Sequence, residues 1–284
     1  MAFKFLQVIS QILNMPFVNT PHLKIYYEQK GAGTPLLVFG GTGGDLRRKP
    51  SIMDTVLSRQ FHLISHDQRG LGQSEKPADG YTMKAYADDG AHLLDALGIE
   101  RAHVMGLSFG GMVAQHFALH HRDRLHKLAL FCTAPGGAGG ASYPLHDLVS
   151  LDPERQLRER LKLYDTRLDD VWIDANPEFV ETARVFSQRD AFDDDPHRER
   201  GAMGQFVARA AHDCWLRLDE IDCPVWLAGG KYDGIAKPAV MENMQARLPH
   251  AELTFYDGGH LFMTEKPQSF DQAAEFFNRK EALS

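Results

Sequence analysis

Gly106-Leu107-Ser108-Phe109-Gly110, followed by Gly111, is the stretch on which the fold turns. An apolar run, Ala102-His103-Val104-Met105, leads into it, and a helix-like stretch over 112–119 leads out. A strand, the pattern G-x-S-x-G and a helix in succession describe a sharp corner that carries an exposed serine. Side chains at 106 and 110 would crowd the strand against the helix, so glycine is required there. Ser108 is expected in strained backbone geometry, with its hydroxyl held on a rigid corner and a helix N-terminus behind it.

Working outward, short β-rich runs alternate with helical stretches from about 23 to 133. Strands are expected at 24–28, 36–39, 62–65, 102–105 and 127–131. Thr82 is placed to cap a helix that runs to about Leu97 and stops at Gly98. After Pro135 this rhythm breaks, and Gly136-Gly137-Ala138-Gly139-Gly140 reads as a flexible hinge. A polar, helix-prone tract with Trp172, Phe179, Phe186, Phe192, Phe206 and Trp215 follows. The rhythm returns with strands at 225–228 and 252–256, a helix over about 238–248, and a closing helix after Pro267. Fully apolar strands in β-α alternation imply an α/β fold with a mostly parallel central sheet covered by helices on both faces. The expected organisation is an N-terminal extension over 1–20, a core over 21–135 and 219–284, and a helical cap inserted at 136–218.

The 284 residues suffice for one large core with an insertion. A net charge of −7 without a Lys/Arg run argues against a nucleic-acid surface. No stretch is long and apolar enough to span a bilayer. Polar residues interrupt the apolar N-terminus and no small-x-small cleavage site follows, so an amphipathic extension is preferred to an export signal. Cys132, Cys214 and Cys223 form an odd set without C-x-x-C, which suits buried thiols in a reducing cytoplasm. A homodimer is left open.

A serine hydroxyl is a poor nucleophile without a base. His260, in Asp257-Gly258-Gly259-His260, follows an apolar strand and so belongs at the carboxyl edge of the sheet. Its imidazole can accept and return a proton, so turnover should fall on acidification as the ring takes one up. Asp233, in Gly229-Gly230-Lys231-Tyr232-Asp233, follows the preceding strand and is the candidate to orient that ring. Ser108, Asp233 and His260 thus occur in the chain order of a nucleophile-elbow triad. Backbone N–H groups are needed for the oxyanion; Phe109 supplies one and the loop Phe39-Gly40-Gly41-Thr42-Gly43-Gly44 the other.

These segments, together with DQRGLGQS at 67–74, resemble the α/β-hydrolase superfamily over residues 23–277. The resemblance implies the α/β-hydrolase fold and assigns the second oxyanion N–H to Gly41; the family's usual His in that loop is Phe39 here. The cap and the stretch DALGIERAHVMGLSFGG look most like the enol-lactonase and cofactor-free haloperoxidase group of esterases. GGxGG with DQRG is also similar to proline iminopeptidases, whose elbow reads differently. The expected function is therefore a serine hydrolase cleaving a small-molecule carboxylic ester or lactone, with no metal and no organic cofactor. The alternatives are an aminopeptidase for N-terminal proline, a carbon–carbon bond hydrolase of a dienoic diketone, and a non-catalytic binding member of the fold.

Other motifs read as structural. Gly106-x-Ser108-x-x-Gly111 imitates a dinucleotide fingerprint, but serine at the middle position obstructs a pyrophosphate. His116 and His120 have helical spacing without a third ligand or an H-E-x-x-H pattern and are assigned to a helix surface. Asp193-Asp194-Asp195 does not match a calcium loop and reads as solvated. Asp67 and Arg69 are expected to hold a turn. The cap aromatics suit an acyl pocket and a small cap core equally.

Overall fold

The computed structural model describes residues 16–188 and 195–280. Most of the expected N-terminal extension (1–15), Phe192, Asp193 and Asp194 lie outside the described residues. Eight strands form one sheet: β1 (Phe17–Asn19), β2 (Lys24–Lys30), β3 (Pro35–Phe39), β4 (His62–His66), β5 (Ala102–Leu107), β6 (Leu125–Phe131), β7 (Val225–Gly230) and β8 (Ala251–Tyr256). Their spatial order is β1-β2-β4-β3-β5-β6-β7-β8. β1 and β2 pair antiparallel at one edge, and β3 to β8 are parallel. The sheet begins earlier than expected: Phe17–Asn19, inside the tract read as an extension, pairs Phe17 with Tyr26 and Asn19 with Lys24. A three-residue edge strand is too short to register as alternation.

The central strands carry apolar residues on both faces because each face has its own core. Leu37, Phe39, Val104, Leu128, Leu130, Val225 and Leu227 belong to one cluster. Their neighbours Leu36, Val38, Met105, Ala129, Phe131, Trp226 and Ala228 belong to another. This is the two-residue period of a strand buried on both sides.

The helices are α1 (Leu57–Gln60), α2 (Met83–Ala96), α3 (Phe109–His120), α4 (Pro153–Tyr164), α5 (Asp170–Ala175), α6 (Pro177–Gln188), α7 (Arg198–Ala210), α8 (Pro238–Arg247), α9 (Phe262–Glu265) and α10 (Gln268–Asn278). Residues of α2, α3 and α8 pack in the first cluster, and residues of α1, α9 and α10 in the second. As expected, Thr82 Oγ1 accepts from the Ala85 N–H at 3.1 Å and caps α2. Gly90 interrupts that helix for a packing reason: a Cβ there would lie 2.4 Å from the Phe39 ring. Phe39 thus turns into the core, edge-on to His66.

Lys127, near the start of β6, reaches across to the end of α10. Its Nζ donates to the carbonyls of Phe276 (3.2 Å), Phe277 (3.3 Å) and Arg279. A cation at a helix C-terminus complements the carbonyls left over there.

Between β6 and β7 the chain forms α4 to α7. Leu157, Leu161, Ile173 and Val180 make a small core of their own, with Trp172 packed against it and Phe179 edge-on to Trp172. Asp152 and Asp169 cap α4 and α5. The glycine run at 136–140 is not the loose hinge expected. Gly136, at φ +74°, bridges to Asp213, and a Cβ on it would meet the His212 carbonyl at 2.1 Å. A Cβ on Gly139 would strike the Trp215 ring at the same distance. Glycine there permits close packing of two backbones rather than motion.

Candidate active site

The corner at 106–110 is as tight as its glycines imply. A Cβ on Gly106 would lie 2.3 Å from the Gly110 carbonyl, and one on Gly110 would lie 2.1 Å from the Phe39 carbonyl. Ser108 sits between them at φ 53°, ψ −112°, a conformation that L-residues adopt at a cost of about 1–3 kcal/mol. The Ser108 N–H donates to the Phe131 carbonyl at 2.9 Å, and its own carbonyl accepts from Gly111. Strand β6 and helix α3 thus clamp the residue from both sides.

Three side chains far apart in sequence converge on this corner. Ser108 Oγ is 2.9 Å from His260 Nε2, and His260 Nδ1 is 2.8 Å from Asp233 Oδ2. The other carboxylate oxygen of Asp233 accepts the N–H groups of Ile235 (2.7 Å) and Ala236 (2.8 Å). Asp233 and His260 are buried and Ser108 is half-buried. Asp233 is therefore fixed in rotation and presents one oxygen to the ring. The ring in turn has one nitrogen free of that bond and directed at the serine. His260 is also tied to the inserted segment, because its N–H donates to the Tyr164 carbonyl at 2.6 Å.

The other two expected residues flank the serine. Phe109 is the first residue of α3, so its N–H has no intrahelical acceptor. Gly41 lies beside the nucleophile: a Cβ on it would come within 3.8 Å of Ser108 Cβ. The loop that carries Gly41 is held at both ends. Gln68 Nε2 donates to the Gly40 carbonyl at 2.8 Å, and the Gly43 N–H donates to Gln205 Oε1 at 2.9 Å. Gln205 belongs to α7, as does Arg209, whose Nη1 donates to Thr42 Oγ1 at 3.3 Å.

Asp67 and Arg69 hold structure, as expected. Asp67 accepts from the N–H groups of Leu46 (2.7 Å) and Gln73 (2.8 Å). Burial nonetheless pushes its carboxyl up to about 6. Arg69 makes two 2.7 Å bonds to Asp89 and a third to the Gly80 carbonyl. Asp195 pairs with Lys76 at 2.8 Å.

His116 departs from expectation. Its ring stacks on His120 and also meets His212, with its Nε2 3.2 Å from His212 Nδ1. His212 Nε2 is bonded to the Ala134 carbonyl at 2.9 Å. Together with Cys214 they bring three potential metal-ligand atoms within 4.8 Å of one another. Burial holds the His116 imidazole down to about 3 and the His212 imidazole down to about 4. No disulfide links the three cysteines. Among the described residues, no helix is long and apolar enough to cross a membrane.

Tyr164, Gln205 and Arg209 surround the site and carried no motif, and Thr42 was noted only as part of the 39–44 loop. Only the i, i+4 spacing of Gln205 and Arg209 within a helical stretch marked them, and that pattern is common on exposed helices.

Sheet order, elbow and convergent side chains define an α/β hydrolase. A family model described as the alpha/beta hydrolase fold matches residues 34–267, and the chain belongs to that family. It is 30% identical, over 274 residues, to a Caulobacter sp. (strain K31) protein carrying the provisional name carbamate hydrolase RutD; the match covers 91% of this chain and 97% of the relative. The enol-lactonase from Burkholderia xenovorans LB400 superposes with a TM-score of 0.75 at 22% identity, covering 93% of this chain and 100% of that one. Est816, described as an N-acyl homoserine lactone degrading enzyme, superposes with a TM-score of 0.72 at 26% identity, covering 92% and 100%.

Proposed function

We propose that this protein is a serine hydrolase that cleaves a carboxylic ester or lactone through an acyl-enzyme. The observation that carries this reading is the continuous hydrogen-bonded line from Ser108 Oγ through His260 to Asp233. Ser108 Oγ attacks the carbonyl carbon as its proton passes to His260 Nε2. Asp233 stabilises the imidazolium that forms. The N–H groups of Gly41 and Phe109 receive the developing oxyanion. The imidazolium then protonates the leaving oxygen, and the acyl group remains on Ser108. Water, deprotonated by the same nitrogen, attacks the acyl-enzyme, and Ser108 leaves with the proton returned to it. The chemistry closes without a metal or an organic cofactor. The helices at 136–218 serve as a lid that excludes water and shapes the acyl pocket.

Similarity to Est816 supports the lactone side of this reading. A second reading, hydrolysis of a carbamate, is favoured by the 30% identity to the RutD relative. A carbamate carbonyl is attacked by the same serine, which becomes carbamoylated as the alcohol leaves, so the site geometry suits both. A fluorophosphonate probe is expected to label Ser108 and to block turnover of a panel of aryl esters, acyl lactones and aryl carbamates. Labelling without turnover of any ester or lactone, but with turnover of a carbamate, would replace the first reading by the second. No labelling at Ser108 would remove both.

A further inference from the structure

Two buried donors on α7 lack the anion that their chemistry suits. Arg209 is only 6% exposed, yet its partners are all neutral. Besides Thr42, its guanidinium donates from Nη2 to Ser142 Oγ at 2.8 Å and to the Tyr143 carbonyl at 3.1 Å. The acid whose charge reaches it is Asp233, which is already engaged by His260, Ile235 and Ala236. Burial draws the Arg209 guanidinium down to about 10, the direction expected for a cation without a close counter-charge.

One turn earlier, Gln205 is 1% exposed. Its bond from the Gly43 N–H fixes which end of the amide is the oxygen. That leaves Nε2 buried with no acceptor among the described residues. On this helix Gln205 and Arg209 face inward beside Gly201, Gly204 and Ala208, while Met203 and Val207 are 52% and 58% exposed. Nothing about stability favours that arrangement, since an unpaired buried ion costs several kcal/mol.

Arg209 lines a cavity of about 220 Å³ together with Ser142, His212 and Met112. Met112 lies one helical turn beyond Ser108, and Thr42 belongs to the loop that carries Gly41. Arg209 therefore lies against the loop and the helix that flank Ser108, and Gln205, outside the cavity lining, holds the same loop through Gly43. A buried anchor suits the part of the substrate that stays after the leaving group departs, which is the acyl group.

We propose that Arg209, assisted by Gln205, receives a second carboxylate on the acyl portion of the substrate, so that the enzyme prefers esters or lactones of dicarboxylic acids. A carboxylate matches the planar guanidinium with two parallel bonds and supplies the missing acceptor for the Gln205 amide. The cavity is smaller than the roughly 300 Å³ at which drug-sized pockets begin, which suits a short acyl chain. This inference rests on the serine hydrolase reading above.

The test compares mono-4-nitrophenyl esters of succinic, glutaric and adipic acid with their methyl-capped diesters. In the wild type, at least one half-ester should exceed its capped counterpart in kcat/KM by more than about tenfold, the scale of one charge-assisted contact. Arg209→Gln should bring that selectivity ratio down to about one, mainly through KM, as loss of one partner from a buried charged pair does. Arg209→Lys should recover part of the ratio, because charge returns without the fork. Free glutarate should compete with the half-ester in the wild type, a measurement that needs no folded variant. Equal turnover of half-esters and capped diesters by the wild type, with no inhibition by glutarate, would overturn the proposal. So would a selectivity ratio that Arg209→Gln leaves intact. Failure of the parent reading looks different, because neither ester class would then be hydrolysed and fluorophosphonate would not label Ser108.

Discussion

Around Asp67, Arg69 and Asp89, buried charge is fully answered: each carboxylate and the guanidinium meet an opposite charge or backbone partners. Around Ser108, His260 and Arg209, burial is comparable but the chain of partners stops short. The serine hydroxyl receives the ring and nothing lies beyond it in the chain of bonds, and Arg209 donates only to neutral oxygens. Each region buries an arginine close to the sheet. What separates them is closure. A closed network stabilises one conformation, whereas an open one keeps donors and a nucleophile directed at space a substrate can fill.

The contrast is sharpest where activity and stability can be separated. Ser108→Ala should lower kcat on the order of a millionfold while the thermal unfolding midpoint stays within a few degrees of the wild type, as read by ester turnover and calorimetry. Large destabilisation by this variant would mean that the corner belongs to the closed class. The converse experiment is Arg69→Met, which strands Asp89. Urea unfolding should show a loss of about 3–5 kcal/mol, the range for breaking a buried pair, while kcat of the folded fraction changes by less than a factor of a few.

Acid tests the interior as a whole. Burial holds His66, His103 and His212 down to about 4 and His116 down to about 3. The unfolded chain takes up those protons near pH 6.5, so it binds more protons than the native state between there and about pH 4. Stability must therefore fall as pH drops through that window. Each such imidazole removes roughly 3 kcal/mol by pH 4. Asp67, raised to about 6, acts in the opposite sense and offsets part of one. A flat unfolding free energy from pH 7 to 4.5 would mean that these rings are wet and the interior is looser than described. The smallest effect is expected at Thr82, remote from both networks: Thr82→Ala should cost about 1 kcal/mol through loss of the α2 cap and leave turnover unchanged.

The strands, the corner and the convergent Ser108, Asp233 and His260 were legible because each rests on a local signal: an apolar run, a glycine spacing, a residue directly after a strand. β1 was not, since three residues at an edge carry no periodicity. The glycines at 136–140 misled because glycine marks both freedom and tight contact, and only Trp215 and His212 packed against them decide which. Arg209 and Gln205 were invisible for a sharper reason. Amphipathic reasoning assigns polar residues to solvent, and α7 places them inward with Met203 and Val207 outside.

The bond set of Lys127 has a consequence for how the molecule is made. Its strand lies in the middle of the sheet, but its acceptors are carbonyls at 276, 277 and 279. These three bonds can form only when nearly the whole polypeptide has emerged from the ribosome. Docking of the last helix, rather than formation of the early strands, thus adds these three bonds, and a chain that ends before 276 forms none of them.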